Sequence, residues 1–199
     1  MKIHGEKIRT FIGEEKLMDS AKKALMVIDI QEDYTGTTAR PPFPYKESDR
    51  LIATVNKVIE EAAKKNIITV YIRQEFSGFF GKAISRVFCR GTAIEGTPGT
   101  EIDKRITLAS NHSFSKPYPD AFSNHKLEVF LSEHQVNDLY LVGVDAEFCV
   151  HSTAKGALKR RYNVNIITDC IALRAEKKWD NLINKYKKDG INLIASREF

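Results

Sequence analysis

Three residues of this chain stand where side-chain chemistry could be done, and each also has a plain structural reading. Cys149 lies in Leu141-Val-Gly-Val-Asp-Ala-Glu-Phe-Cys-Val-His-Ser-Thr153, at the predicted start of a helix. Unpaired backbone N–H groups and the helix dipole favour a thiolate there, and the same N–H groups could hold an oxyanion. The competing reading is an inert buried thiol. Asp29, in Val27-Ile-Asp-Ile-Gln31, is an acid embedded in an apolar run. It is either desolvated for a purpose or hydrogen-bonded into a structural network. Lys116, in His112-Ser-Phe-Ser-Lys-Pro-Tyr118, has Pro117 fixing the chain beside it and Phe114, Tyr118 and Phe122 nearby; a lone lysine is otherwise simply solvated.

Other constellations fail on spacing. His151 follows Cys149 by two residues, so on a helix it points roughly 200° away and cannot serve as a papain-like base. His112, His125 and His134 fall in predicted loops or on helix surfaces. Cys89 and Cys170 lack a helix-start setting and read as structural. With three cysteines one is always left over, and no two have C-x-x-C spacing, which argues against a disulfide framework and against zinc or redox sites of that type. Gly78-Phe-Phe-Gly-Lys82 lacks the spacer and the following Ser/Thr of a phosphate loop.

These residues need elements to position them. The 199 residues are 42% hydrophobic and 29% charged, with 6 Pro and 11 Gly, which excludes collagen-like and disordered classes and suits one domain. Residues 24–30 form an almost wholly apolar run, as expected of a strand covered on both faces. Pro41, Pro42 and Pro44 forbid regular structure. Ser48 can cap a helix carrying Leu51, Ile52, Val55, Val58, Ile59 and Ala62, closed by Asn66. Further strands are predicted at 67–72, 106–110, 138–142, 165–168 and 191–194. Helices are predicted at 126–133, from about Cys149, and around Trp179, Leu182, Ile183 and Tyr186. Residues 73–105, with Gly78, Gly81, Gly91, Gly96, Pro98 and Gly99, read as a long surface excursion, which in a compact domain is usually functional. Such alternation predicts a single α/β domain over 21–199: a three-layer α/β/α sandwich around a mostly parallel six-stranded sheet. Ligands of such sheets bind at the carboxyl ends of the strands. Residues 1–20 fit no βα unit and read as an N-terminal arm or part of a subunit contact.

Charge excludes more than it suggests. The net charge is +5, but the cations are scattered. The densest group, Lys159, Arg160 and Arg161, sits at a predicted helix end, where it complements the dipole. No nucleic-acid partner is expected. The longest apolar run, 24–28, is far short of a membrane span, and residues 1–11 lack the apolar centre of a signal peptide. A cytoplasmic protein with no membrane partner is expected.

Taken together, Leu-Met-Val-Ile-Asp-Ile-Gln at 25–31, Lys-Pro-Tyr-Pro-Asp-Ala-Phe at 116–122 and Val-Gly-Val-Asp-Ala-Glu-Phe-Cys-Val with Ser-Thr-Ala at 142–154 resemble the isochorismatase-like cysteine hydrolase superfamily. That superfamily includes nicotinamidases, N-carbamoylsarcosine amidases, ureidoacrylate-type amidohydrolases and isochorismatases. The three motifs agree in order and in strand placement, over about residues 22–195. The resemblance implies a catalytic triad of Asp29, Lys116 and Cys149. It also implies a cis peptide between Val144 and Asp145, and an oxyanion hole made of the Asp145 and Cys149 N–H groups.

Departures from the family narrow the expectation. Nicotinamidases bind a metal through an Asp-x-His pair just after the second strand, where this chain reads Arg73-Gln-Glu-Phe76. No metal and no cofactor are therefore expected, and nicotinamidase activity is disfavoured. Because Cys149 is present, C–N hydrolysis is favoured over vinyl-ether cleavage. The leading expectation is a metal-independent hydrolase that cleaves a small amide, ureide or carbamoyl compound through a Cys149 thioester. Isochorismatase-type ether hydrolysis, a catalytically idle oligomeric binding protein and a redox thiol at Cys149 are the alternatives. Candidate pocket residues are Tyr34, Arg73, Phe76 and Phe122, with Phe79 and Phe80 in the long excursion. Arg73 or Arg90 could hold a substrate carboxylate. A small-molecule substrate and a homo-oligomer, dimeric or larger, are the expected partners.

Overall fold

The computed structural model describes residues 22–199 except Pro42, Pro44 and Ala175; the arm expected over 1–20 lies outside the described residues. Six strands form one sheet: β1 (Lys22–Ile28), β2 (Ile68–Gln74), β3 (Ser113–Lys116), β4 (Val136–Val144), β5 (Asn163–Ala172) and β6 (Asn192–Ile194). Their order is β3-β2-β1-β4-β5-β6, and every neighbouring pair is parallel. The helices are α1 (Ser48–Lys64), α2 (Gly78–Phe88), α3 (His125–Glu133), α4 (His151–Lys159) and α5 (Trp179–Lys188).

Alternation along central β1 builds both cores. Leu25 and Val27 join Leu51, Val55 and Ile59 of α1 on one face. Ala24, Met26 and Ile28 join Leu127 and Leu131 of α3, Ala154 and Ala157 of α4, and Leu182 and Tyr186 of α5 on the other. This is the expected three-layer sandwich, and it explains why β1 reads as a continuous apolar run: both of its faces are buried.

Several local expectations are corrected. The third strand is Ser113–Lys116, not 106–110. Residues 106–110 lie beside β2 without joining the ladder: the Tyr71 hydroxyl donates to the Thr107 carbonyl and accepts from the Ala109 N–H, and Ser110 donates to the Thr69 carbonyl. Side-chain bonds thus do there what a ladder would have done, whereas β3 is an edge strand with little apolar content to signal it. The excursion over 73–105 begins with the last two residues of β2 and contains α2. Its period was hidden because α2 turns Phe79, Phe80, Val87 and Phe88 outward, at 84, 80, 72 and 79% exposure. Ser48 is the first residue of α1 rather than its cap, and its hydroxyl donates to the Tyr45 carbonyl.

Strand order reverses direction between β1 and β4, so the carboxyl ends of these neighbours flank a crevice. Their approach there is set by glycine. Gly143 takes φ +121°, and a Cβ on it would lie 2.0 Å from the Ile28 carbonyl oxygen. A side chain would therefore push apart the two strands that end in Asp29 and Asp145. Gly143→Ala is expected to cost about 3 kcal/mol or more, the upper range for one substitution. Urea unfolding of the two proteins measures this, and a loss below about 1 kcal/mol would show that the strands can separate cheaply.

Candidate active site

Four strand ends converge in the crevice. β1 ends at Ile28, and Asp29 follows in the left-handed region at φ +54°, a conformation that Asp tolerates better than most residues. The turn directs the buried carboxylate, 2% exposed, into the crevice rather than along the strand. β3 ends at Lys116, 1% exposed, whose Nζ lies 2.9 Å from Asp29 Oδ2. The same Nζ donates to Gln74 Oε1 at 2.7 Å and lies 3.3 Å from Cys149 Sγ. An ammonium has three N–H donors, and each has an acceptor here.

Gln74, at the end of β2, is the member that the sequence reading missed. It is 4% exposed, and its amide donates to the Lys116 carbonyl while its Oε1 takes the Lys116 ammonium. Gln31 holds it in turn: Gln31 Oε1 accepts from the Gln74 N–H, and Gln31 Nε2 donates to the Gln74 and Thr100 carbonyls. A glutamine in a strand carries no signal of its own; only the register of β2 beside β3 reveals its role.

Cys149 is carried by a π-helical turn, Ala146–Val150, that leads into α4, so it stands within the turn rather than at a helix start. The peptide between Val144 and Asp145 is cis. The Asp145 carboxylate caps the turn through the Glu147 N–H at 2.8 Å, and its other oxygen accepts from Tyr45 Oη and Arg174 Nε, each at 3.1 Å. From the opposite side α5 braces the turn. Tyr186 Oη donates to the Ala146 carbonyl at 2.5 Å, and His151 Nε2 lies 2.6 Å from Asp189 Oδ2. His151 therefore points away from Cys149 and into this brace.

The electrostatics correct the expectation of a resting thiolate. Burial pushes the Cys149 thiol well above its ordinary value, and the nearby Asp29 charge pushes it further, against the opposing pull of Lys116. Lys116 is held charged: burial works against the ammonium, but the Asp29 carboxylate overrules it. The resting arrangement is a neutral thiol beside an ionised Asp29–Lys116 pair. Asp29 Oδ1 is buried and has no hydrogen-bond partner among the described residues, so it is an acceptor held in reserve.

Above this floor is a cavity of about 320 Å³, within the range of small-molecule sites. Tyr34 and Phe76 line it, together with Phe43, Tyr45, Phe88 and Phe148. Burial, reinforced by Asp29 for Tyr34 and by Asp145 for Tyr45, keeps both phenols neutral. Two expected pocket residues lie elsewhere. Phe122 is 4% exposed in the core, stacked on Tyr162 with a centroid separation of 5.7 Å. Arg73 precedes Gln74 on β2 and so faces away from the site, bonded to Ser113 Oγ and the Thr100 carbonyl. Phe79 and Phe80 are outside the cavity as well, whereas Cys89, read as structural, and Arg174, not singled out, line it.

The isochorismatase domain matches residues 23–198. The chain belongs to the isochorismatase family. It is 24% identical over 163 residues to the uncharacterized isochorismatase family protein YaaI of Bacillus subtilis, covering 80% of this chain and 86% of that one. N-carbamoylsarcosine amidase from Thermoplasma acidophilum superposes with a TM-score of 0.75 at 24% identity, covering 89% of this chain and 98% of its own. The pyrazinamidase of Pyrococcus horikoshii, solved in complex with zinc, gives a TM-score of 0.74 at 25% identity over 87% of this chain and 99% of its own. The residues of this family member do not fit such a metal: among the described residues no three His, Cys, Asp or Glu side chains are grouped to hold one.

Removal of the Asp29 charge tests the electrostatics directly. In Asp29→Asn the thiol loses its repulsive neighbour and keeps Lys116, so its pKa falls. Iodoacetamide labelling of Cys149 at pH 8 is expected to speed up by about tenfold for each unit of that fall. Peptide mapping reads the rate; unchanged or slower labelling would mean that burial alone holds the thiol neutral.

Proposed function

We propose that this family member is a metal-independent cysteine hydrolase that cleaves a C–N bond of a small amide, ureide or carbamoyl compound. The observation that carries this reading is the single ammonium of Lys116 shared among Asp29, Gln74 and Cys149 at the floor of one cavity. The amidases among its structural relatives support it.

In this mechanism Asp29 Oδ1 takes the thiol proton as Cys149 Sγ attacks the carbonyl carbon. The Asp145 and Cys149 N–H groups stabilise the tetrahedral oxyanion; among the described residues neither donates a backbone hydrogen bond to a residue outside the turn. Collapse breaks the C–N bond, and the leaving amine carries off the proton from Asp29. Asp29 then deprotonates a water that attacks the thioester, and the departing thiolate recovers that proton. Lys116 keeps its ammonium charge throughout. It stabilises the Asp29 carboxylate before the first transfer and the sulfur anion during it.

Several outcomes follow from these roles. Cys149→Ala and Asp29→Asn are each expected to lower ammonia release by about 10³-fold or more. Cys149→Ala should unfold near the wild-type denaturant concentration, whereas Asp29→Asn, which leaves the buried Lys116 ammonium without its counter-ion, should unfold at a lower one. Mass spectrometry of acid-quenched wild type should find the acyl adduct on Cys149. Full turnover by Cys149→Ala would sink the mechanism. Dialysis against a chelator should leave the rate unchanged, and restoration of a lost rate by zinc would overturn metal independence.

The homo-oligomer rests on the exposed apolar stripe of α2, which pairing of two copies would bury on both at once. Phe79→Asp with Phe80→Asp is expected to reduce the mass measured by light scattering to that of one chain. A wild type that is already monomeric would remove this reading.

A further inference from the structure

The charges around the cavity do not cancel. Asp29 is paired with Lys116, and Asp145 with Arg174. Arg90 lines the same cavity and has no acidic partner within ion-pair distance among the described residues. One of its Nη atoms donates to the Pro41 carbonyl at 3.2 Å, which leaves most of its five N–H donors for something else. With the thiol neutral, three cations face two anions, and one positive charge is left over.

The placement of Arg90 is also specified. It takes φ +56°, and Gly91 and Ala93 follow at +76° and +53°. Non-glycine residues seldom adopt this region, and such outliers gather at sites of binding. The turn is pinned: the Cys89 and Gly91 N–H groups both donate to the Ser85 carbonyl, Ser85 Oγ donates to the Thr92 carbonyl, and the Ala93 N–H donates to Asp33 Oδ2. Arg90 therefore rides on a fixed support, while aromatic rings flank the space between it and the catalytic floor. Arg174 stacks over Phe148 at 5.2 Å and Phe43 at 6.0 Å, so its charge is already engaged.

We propose that Arg90 is a specificity-determining residue that binds a carboxylate on the substrate, and that the pocket selects anionic amides with a flat body over neutral ones. This rests on the hydrolase reading for the word substrate, but the binding preference does not depend on turnover. A guanidinium meets a carboxylate through paired N–H bonds, and apolar walls strengthen that attraction.

The test uses benzamide, 4-carbamoylbenzoate and the methyl ester of the latter, with two readouts on the full chain. The first is protection of Cys149 from iodoacetamide at pH 9; the second is ammonia release. The acid is expected to protect at least about tenfold more tightly than its ester, with Arg90→Gln reducing that ratio to near one and Arg90→Lys restoring part of it. Equal protection by acid and ester, no protection by the acid, or a ratio unchanged in Arg90→Gln would overturn the proposal. Protection with the expected ratio but neither ammonia nor an acyl adduct would uphold Arg90 as an anion ligand and count against the hydrolase reading instead.

Discussion

A buried ammonium needs as many acceptors as it has protons, and the centre of this molecule is organised around meeting that need for Lys116. Leaving a charge unpaired in an apolar interior costs several kcal/mol, so each of its three contacts constrains the structure. They come from different places: Asp29 from the turn after β1, Gln74 from the end of β2, and Cys149 from the π-helical turn after β4. Lys116 itself closes β3. The parallel register of β1, β2, β3 and β4 brings all four to the same carboxyl edge. A shift of one strand would strand the charge.

The same constraint accounts for features that look unrelated. Gly143 allows β1 and β4 to approach until a Cβ would collide with the Ile28 carbonyl, which brings the turn carrying Cys149 to the turn carrying Asp29. Tyr186 and the His151–Asp189 pair fix the far side of the Cys149 turn against α5. Tyr45 and Arg174 fix its near side through Asp145. The sulfur is thus placed by a frame built from both layers of the sandwich, with little freedom to leave the ammonium.

Chemistry in the isochorismatase family member follows from how that arrangement divides charge. The carboxylate and the ammonium are ionised as a pair, and the thiol between them stays neutral because burial and the carboxylate outweigh the ammonium. A thiol kept protonated is protected from casual alkylation, and the Asp29 carboxylate beside it has one oxygen without a hydrogen-bond partner among the described residues. Aromatic side chains line the cavity above this pair, together with Arg90 and Arg174. Asp29 and Asp145 each have a cationic partner, whereas Arg90 has no acidic partner among the described residues.

Local pattern in the chain was enough for the layers and for singling out Asp29, Lys116 and Cys149, which the fold brings together. A short apolar run such as 24–28 within strand–helix alternation fits a strand buried on both faces, and the helical spacing of Leu51, Val55 and Ile59 fits a helix that covers the sheet. The motifs around Asp29, Lys116 and Cys149 were legible because their residue types and order are distinctive even without contacts. Tertiary structure decided the rest. β3 was misplaced because an edge strand needs little apolar content, and α2 was missed because its apolar face looks outward, against the usual rule. Gln74 could not be recognised because a buried glutamine is defined by its partners, which lie 43 and 42 residues away at Gln31 and Lys116. Phe122 and Arg73 were read into the pocket on their types, yet which way a side chain points depends on strand phase and on the packing of α4. The thiol's ionisation also belongs to the fold, because burial and a neighbouring charge are properties of where a residue ends up.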